Sequence, residues 1–227
     1  MQEESNFIDE LKDIYKLPNA PEKLARILSK TNRNLSNMNL GGINLQRMKL
    51  DGVNLKGSNL GGATLTESSM RRACLRGSNL GGASMGYTVL ANADLQTANL
   101  GSANMAYAML NSASARGANM SGCYLGYASL SNADLSDSYL WGAYLKGCNL
   151  TGASLENAYM RGADLKGAVI KAANLKGADL SGANIRGSKV ARECLSDLMA
   201  AYLHAKVPVH KKEDAHKIAD EYGIILI

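Results

Sequence analysis

The 227-residue chain has few of the residues that usually fill a globular core or cross-link a small one. It contains one Phe and one Trp, and its four Cys lie at irregular spacings that fit neither a disulfide framework nor a zinc site. No apolar run approaches the roughly 18 residues that a membrane helix needs, and the acidic first residues do not resemble a secretory signal. We therefore expect a cytoplasmic protein with no membrane span, metal or cofactor. Export by a signal-less route stays open.

Proline is scarce and charge is uneven along the chain. None of the three Pro lies between residues 35 and 190, as expected where every backbone N–H group is needed for pairing. Residues 33–190 carry 15 basic and 8 acidic side chains, a net charge of +7, whereas each flanking segment carries five basic and six acidic ones. The positive excess therefore belongs to the middle of the chain.

That middle segment repeats every five residues. From Leu35 to Val190, 32 successive positions are Leu, Met, Ile or Val, with Ala115 as the one small exception. We call these the central residues. A small residue, mostly Ala, usually precedes each by two positions, except in the first coil, where Met38, Ile43, Met48 and Val53 stand there. Gly is frequent two positions after, at what we call the corner residue, where a turn would need a positive φ. Neither an α-helix nor a straight strand keeps a period of five on one face. The pattern indicates short extended segments joined by turns.

A second period of twenty sets the length of one coil. The segment 56–63 recurs almost unchanged at 76–83, and Tyr recurs at 87, 107 and 127. Four pentads per coil predict a four-sided solenoid, and 32 pentads predict eight coils. At a strand spacing of ~4.8 Å, such a rod is roughly 38 Å long.

The repeated unit resembles the pentapeptide-repeat family. The resemblance rests on units such as Ala93-Asp94-Leu95 and Ala133-Asp134-Leu135, and it covers about 70% of the chain. It implies an all-β solenoid, a right-handed quadrilateral β-helix. It implies little about function, because such proteins include cyanobacterial proteins of unknown role, type III effectors and topoisomerase-protecting quinolone-resistance proteins.

The two ends predict helical caps, since a solenoid would otherwise expose its apolar cross-section. We expect an N-terminal helical cap at 1–32, the β-helix at 33–190, and a C-terminal cap helix with a small tail at 191–227. The N-terminal cap would use Phe7, Ile8, Leu11, Ile14 and Tyr15 in one helix. A second helix, opened by Pro21, would use Leu24, Ile27 and Leu28.

The C-terminal segment predicts one helix followed by a strand-helix-strand tail. The helix would turn inward Leu195, Leu198, Met199, Tyr202 and Leu203. The tail comprises a strand near 207–209, a helix at 213–222 that ends at Gly223, and a strand at 224–227. Because the last strand is apolar, we expect it to pair, either within the chain or across a homodimer.

Residues twenty apart should be neighbours on one face, so the sequence predicts surface ladders. Tyr87, Tyr107 and Tyr127 should stack at one corner, with Val89 and Met109 at outward positions nearby. Between residues 77 and 145 the charges are one Arg and three Asp, so this patch is sparsely charged. Such a surface is typical of a partner site. A ladder that only stabilises neighbouring coils is the alternative interpretation.

Further candidate sites combine aromatic, basic and amide side chains. Trp141 and Tyr144 belong to a second aromatic group with Tyr124, Tyr139 and Tyr159. A basic stripe of Lys146, Lys166 and Arg186 follows beside it. A second basic region would contain Arg47, Lys49, Lys56, Arg71, Arg72 and Arg76, and an Asn ladder would run through Asn39, Asn59, Asn79, Asn99 and Asn119. Basic residues beside aromatics can bind nucleic acid, but +7 over eight coils is modest, so we do not expect nucleic acid as the partner.

Catalysis has little support in the residue inventory. The repeat contains no His, and the spacing of His204, His210 and His216 is irregular for zinc. We therefore expect a non-enzymatic scaffold that docks a protein partner. The alternatives are a translocated bacterial effector that binds a host protein, and a topoisomerase-protecting DNA mimic. DNA mimicry requires an acidic rod, and the charge of this one is positive.

Overall fold

Backbone bridges join residues twenty apart throughout the repeat. The structure, a computed structural model, describes residue 11 and residues 14–17, 19–203 and 212–227. Each twenty-residue turn makes four parallel bridges to the next turn, so the segment is a β-helix with four columns of bridge residues. We number its faces by these columns, which run in steps of twenty: face 1 from Asn34 to Asn174, face 2 from Asn39 to Asp179, face 3 from Asn44 to Asn184 and face 4 from Lys49 to Lys189.

The pentad has a simple hydrogen-bond cycle that explains its period. The Leu60 N–H donates to the Asn79 carbonyl of the next coil at 2.6 Å, and the Ala63 N–H closes the turn on Leu60 O at 3.0 Å. Between them the corner residue Gly62 has φ +65°. Residues other than Gly adopt the same conformation at this position, as at Tyr87 with φ 59°, at a cost of about 1–2 kcal/mol each. The predicted positive φ at the corner residue is therefore correct.

Central residues and the small residues before them form one continuous core. Leu and Met at the central positions are buried from Leu35 onward. Cys123 and Cys148 occupy the small inward position, where burial raises the pKa of each thiol to about 12, so neither is a reactive thiolate. Cys74 lies at a bridge position and is partly exposed.

Helices lie at both ends of the described chain. On the N-terminal side, a 3-10 helix at Ile14–Lys16 precedes α1 (Ala20–Lys30), and Pro21 lies in the first turn of α1 as predicted. The apolar side chains buried there are Leu11, Ile14, Leu24, Ile27 and Leu28. Phe7, Ile8 and the side chain of Tyr15 lie outside the described part of the chain.

The repeat ends in two paired strands, β1 (Val169–Ile170) and β2 (Lys189–Val190), followed by α2 (Arg192–Leu203). α2 occupies the place of a further coil, because the Leu180 N–H donates to the carbonyl of Ala201 at 3.0 Å. Leu195, Leu198 and Met199 are buried as predicted, and Tyr202 packs partly buried against the core. Leu203 is 42% exposed, contrary to prediction, because it lies beyond Ala201, the last buried residue of α2.

The tail returns to the β-helix. α3 (Lys212–Tyr222) ends at Gly223, whose φ is +62°, and β3 (Ile225–Leu226) pairs in parallel with β2. The sheet order is β1-β2-β3, so the predicted last strand is present and pairs within the same chain. The predicted strand near 207–209 lies outside the described residues. Among the helices that are described, none has the length and apolarity to cross a membrane.

Candidate docking surface on the middle coils

The three predicted tyrosines form a continuous stack on the rod surface. Ring centroids are 4.9 Å apart between Tyr87 and Tyr107 and 5.4 Å apart between Tyr107 and Tyr127, with interplanar angles of 4° and 12°. All three are corner residues between faces 3 and 4, with φ near +60°. Their exposed fractions are 55%, 45% and 51%, so the stack stays open to solvent.

The residues before and after the stack define where it begins and ends on this corner. On the two coils that precede Tyr87, the corner residues Arg47 and Glu67 form an ion pair at 2.9 Å, and hydrogen bonding from Arg47 lowers the pKa of Glu67. After the stack, the ring of Tyr127 lies over Gly147, where an added Cβ would be only 2.6 Å from Tyr127 Cε1. The corner therefore changes from an ion pair to three aromatic rings and then to glycine.

Face 4 adds an apolar margin to the tyrosine stack. Val89 and Met109 are bridge partners on this face, directly past the corner that carries Tyr87 and Tyr107. Met109 is 47% exposed and Val89 is half-buried. The structure thus brings five of the predicted site residues together along one edge of the rod, which we call the tyrosine edge: Tyr87, Val89, Tyr107, Met109 and Tyr127.

A matched pair of glycine substitutions tests this packing. Gly142 and Gly147 are both corner residues with positive φ, but an added Cβ at Gly142 has no heavy atom within 4 Å. We expect Gly142→Ala to lower the free energy of unfolding by about 1–2 kcal/mol through backbone strain alone. Gly147→Ala carries the same strain and must also displace the Tyr127 ring, so it should lower stability further and change the near-UV circular dichroism of tyrosine. Equal melting temperatures and spectra for the two variants would contradict the described position of Tyr127.

The second aromatic group separates into two clusters. Tyr139 and Tyr159 stack on face 2 with centroids 5.1 Å apart, and Trp141 meets both edge-on at 5.5 and 6.2 Å. Tyr124 and Tyr144 stack on face 3 with centroids 4.5 Å apart. Trp141 lies between these clusters at the corner of faces 2 and 3. Trp141 and Tyr144, predicted as part of one site, therefore belong to neighbouring surfaces.

The basic stripe lies on the same corner as the tyrosine stack. Lys146, Lys166 and Arg186 each follow a face 3 residue by two positions and directly precede the corner residues Gly147, Gly167 and Gly187. The stripe thus continues the line of Tyr87, Tyr107 and Tyr127 toward the C-terminal end of the repeat. Sequence reasoning missed this alignment. The signal was present, because Gly147 follows Tyr127 by twenty residues and Lys146 directly precedes it.

The other predicted basic region is not one surface. Arg47 is paired with Glu67, and Lys49 lies on face 4. The remaining members occupy two different corners: Lys56 and Arg76 between faces 1 and 2, and Arg71 and Arg72 between faces 4 and 1. A spread of this kind is typical of solvated charge.

The Asn ladder is satisfied by its own hydrogen bonds. Asn59 Nδ2 donates to Asn39 Oδ1 at 2.8 Å, and the same bond recurs on each coil up to Asn119, at 2.9 to 3.0 Å. The side-chain oxygens also accept backbone N–H groups of nearby glycines, as Asn59 Oδ1 does from Gly61. These contacts give the ladder a structural role.

A metal site has no support in the described residues. No group of three or more His, Cys, Asp or Glu side chains there could hold a metal ion. His216 is exposed on α3, and His204 and His210 lie outside the described part.

Comparison with known sequences assigns the repeat. The profile described as pentapeptide repeats matches in eight copies, over residues 34–66, 49–82, 83–126, 123–167 and 148–187. The chain belongs to the pentapeptide-repeat family. Pentapeptide-repeat proteins are known as right-handed β-helices and are generally structural or interaction proteins rather than enzymes. A sequence comparison with curated proteins finds no match.

Solved structures of pentapeptide-repeat proteins also align with the chain. HetL, involved in heterocyst differentiation regulation in Nostoc sp. strain PCC 7120, is 26% identical over 74% of this chain and 96% of its own, with a TM-score of 0.32. QnrB1, a plasmid-mediated fluoroquinolone resistance protein, is 17% identical over 86% of this chain and 97% of its own, with a TM-score of 0.47. Because both TM-scores are low, the family assignment rests on the sequence repeat.

Proposed function

We propose that this pentapeptide-repeat protein is a non-enzymatic docking scaffold, a rod of eight coils with helical caps that binds a protein partner along the tyrosine edge. The observation that supports this most directly is the stack of Tyr87, Tyr107 and Tyr127, whose half-exposed rings form a continuous aromatic surface on three successive coils.

The fold permits tyrosine at this corner without requiring it. Three non-glycine corner residues together cost about 3–6 kcal/mol relative to glycine. The two stacked pairs return about 1–3 kcal/mol. Glycine occupies this position at Gly147, Gly167 and Gly187 on the same corner, so the fold does not require Tyr there.

The surroundings of the stack suit docking. Residues 77–145 carry only Arg116, Asp94, Asp134 and Asp137 as charged side chains, and Arg116 is already paired with Asp137 at 3.0 Å. Little charge must therefore lose its hydration when a partner covers the tyrosine edge. Tyr also supplies a large contact area while losing little side-chain entropy.

Charge and cysteine chemistry bear on the remaining alternatives. A DNA mimic presents an acidic surface, whereas residues 33–190 carry a net charge of +7, so we do not propose topoisomerase protection despite the likeness to QnrB1.

Four free cysteines suit a reducing compartment, and we propose the cytoplasm.

The substitution Tyr107→Ala tests the proposal. Tyr107 stacks on both sides, so docking should bury it most completely, and we expect partner binding to weaken by about 1–3 kcal/mol with folding nearly intact. The partner is first captured from the native host on the immobilised full chain, and its affinity is then measured by calorimetry. Tyr159→Ala is the matched control, because Tyr159 is a similarly exposed, stacked tyrosine on face 2. Unchanged affinity for Tyr107→Ala would show that the stack only stabilises the coils.

A further inference from the structure

The corner between faces 3 and 4 changes character halfway along the rod. Where the corner residue is Tyr87, Tyr107 or Tyr127, the residue directly before it is Gly86, Ala106 or Gly126. Where the corner residue is Gly147, Gly167 or Gly187, the residue before it is Lys146, Lys166 or Arg186. Each coil therefore offers one large side chain at this corner, first aromatic and then cationic, in two adjacent columns.

The cations of the basic stripe differ from several others at corners of the rod. Arg47, Arg116 and Arg161 each form an ion pair with a carboxylate one coil away. Within the described residues, Lys146, Lys166 and Arg186 have no carboxylate at ion-pair distance. Asp164, two residues before Lys166, has its Oδ1 engaged by the Lys166 backbone N–H at 3.0 Å and by Asn184 Nδ2 at 2.9 Å. Arg186 lines a cavity together with Asp220 and Glu221 of α3.

Face 4 adds a further positive charge at the C-terminal end of the repeat, where the three cations lie. Lys189 is exposed in the face 4 column on the coil that carries Arg186, and the residues of that column between Met109 and Lys189 are Ser129, Asn149 and Val169. From Tyr87 to the C-terminal end of the repeat, the strip formed by this corner and face 4 therefore has an apolar half and a cationic half. The two coils before it carry Lys49 on face 4 and, at the corner, Arg47 paired with Glu67, the one carboxylate of this corner and face in the described repeat.

We propose that the segment recognised by this strip is an extended, acidic stretch of polypeptide, with apolar side chains over the tyrosine edge and carboxylates over Lys146, Lys166 and Arg186. The inference rests on the proposed docking function and adds the chemistry of the partner. Five coil steps separate Tyr87 from Gly187, about 24 Å at the strand spacing, which about seven or eight extended residues span. Opposite charge along one half would also set the register of the bound segment.

Single-stranded nucleic acid fits the strip less well. Such ligands bind by stacking bases on free aromatic faces beside cations. Here the faces of Tyr107 are covered by Tyr87 and Tyr127, at 4.9 and 5.4 Å, and Tyr127 covers Gly147. The stack presents ring edges and hydroxyls outward, which suit peptide side chains.

Synthetic peptides test the inference on the full chain. The probe is a fluorescent twelve-residue peptide with Ser at alternate positions, in which three apolar residues fill one half and three Glu the other, made in both chain directions. A control peptide of the same composition has the apolar and Glu positions interleaved. We expect the segmented peptide, in its better direction, to bind about tenfold more tightly than the interleaved one in fluorescence anisotropy.

Variants then locate the binding. The double substitution Lys146→Glu with Lys166→Glu should weaken the segmented peptide at least about tenfold, and Tyr107→Ala should weaken it about fivefold or more. Lys56→Glu with Arg76→Glu makes the same charge change on another corner and should leave affinity within about twofold.

Three outcomes of the peptide experiments would overturn the inference. They are no binding of either peptide, equal affinity for the segmented and interleaved peptides, and equal losses of affinity for the two charge variants. Tighter binding of a twelve-nucleotide oligothymidylate that Lys146→Glu with Lys166→Glu abolishes would reassign the strip to nucleic acid. The proposed docking function is judged separately, by the effect of Tyr107→Ala on the captured partner. It fails if that affinity is unchanged, whatever the peptides do.

Discussion

Leu125→Asp is expected to prevent soluble folding. Leu125 is a fully buried central residue between face 3 and the tyrosine edge, and its N–H donates to Tyr144 O at 2.8 Å. Asp at this position would place a carboxylate in an apolar interior, where ionisation is costly and no cation is available. The loss of leucine packing adds about 2–5 kcal/mol. Together these costs are comparable to the whole stability of a typical domain, about 5–15 kcal/mol.

Two companion variants make that result interpretable. Leu125→Ala should remain soluble and unfold with about 2–5 kcal/mol less free energy, because it leaves a cavity without a buried charge. Lys166→Asp, at an exposed position beside a corner, should melt close to the parent protein. Expression, solubility and denaturant unfolding are measured for all three. Normal folding of Leu125→Asp would contradict the inward assignment and with it the twenty-residue coil.

Deletion of residues 206–227 should leave the β-helix folded but make the chain self-associate or lose solubility. The deletion removes the backbone bonds from Gly187 N to Gly223 O at 2.6 Å, from Ile225 N to Ser188 O at 2.8 Å and from Ile227 N to Val190 O at 3.1 Å. β2 then becomes an unprotected parallel edge, and such edges pair with other chains. The contact between Tyr202 and Tyr222 at 5.6 Å is lost as well.

Sedimentation velocity, solubility and far-UV circular dichroism measure the effect. Ile225→Thr is the control, because the Ile225 side chain is largely exposed and the substitution keeps the backbone pairing of β3. It should behave like the parent protein. If the shortened chain matches the parent in sedimentation, solubility and melting, β3 does not protect the end of the rod.

The candidate site was predictable in its parts and not in its arrangement. The stack of Tyr87, Tyr107 and Tyr127 follows from the twenty-residue coil, because residues one coil apart are about 4.8 Å apart whatever their identity. That Lys146 shares the corner of this stack also follows from the period, but the direction in which each side chain leaves the corner does not. The second basic region failed for a related reason, since Lys56 and Arg71 are close in sequence but lie on different corners.

The amino-acid sequence by itself determined the β-helical repeat. A period of five that repeats without a slip leaves one register in which the central residues and every Ala two positions before them are buried, and a shift by one residue would expose them all. Tertiary structure alone decided that β3 pairs with β2 and that Leu203 lies outside the core. These features depend on contacts between segments far apart in sequence or on the direction of a side chain at a turn, and the period of the sequence does not specify either.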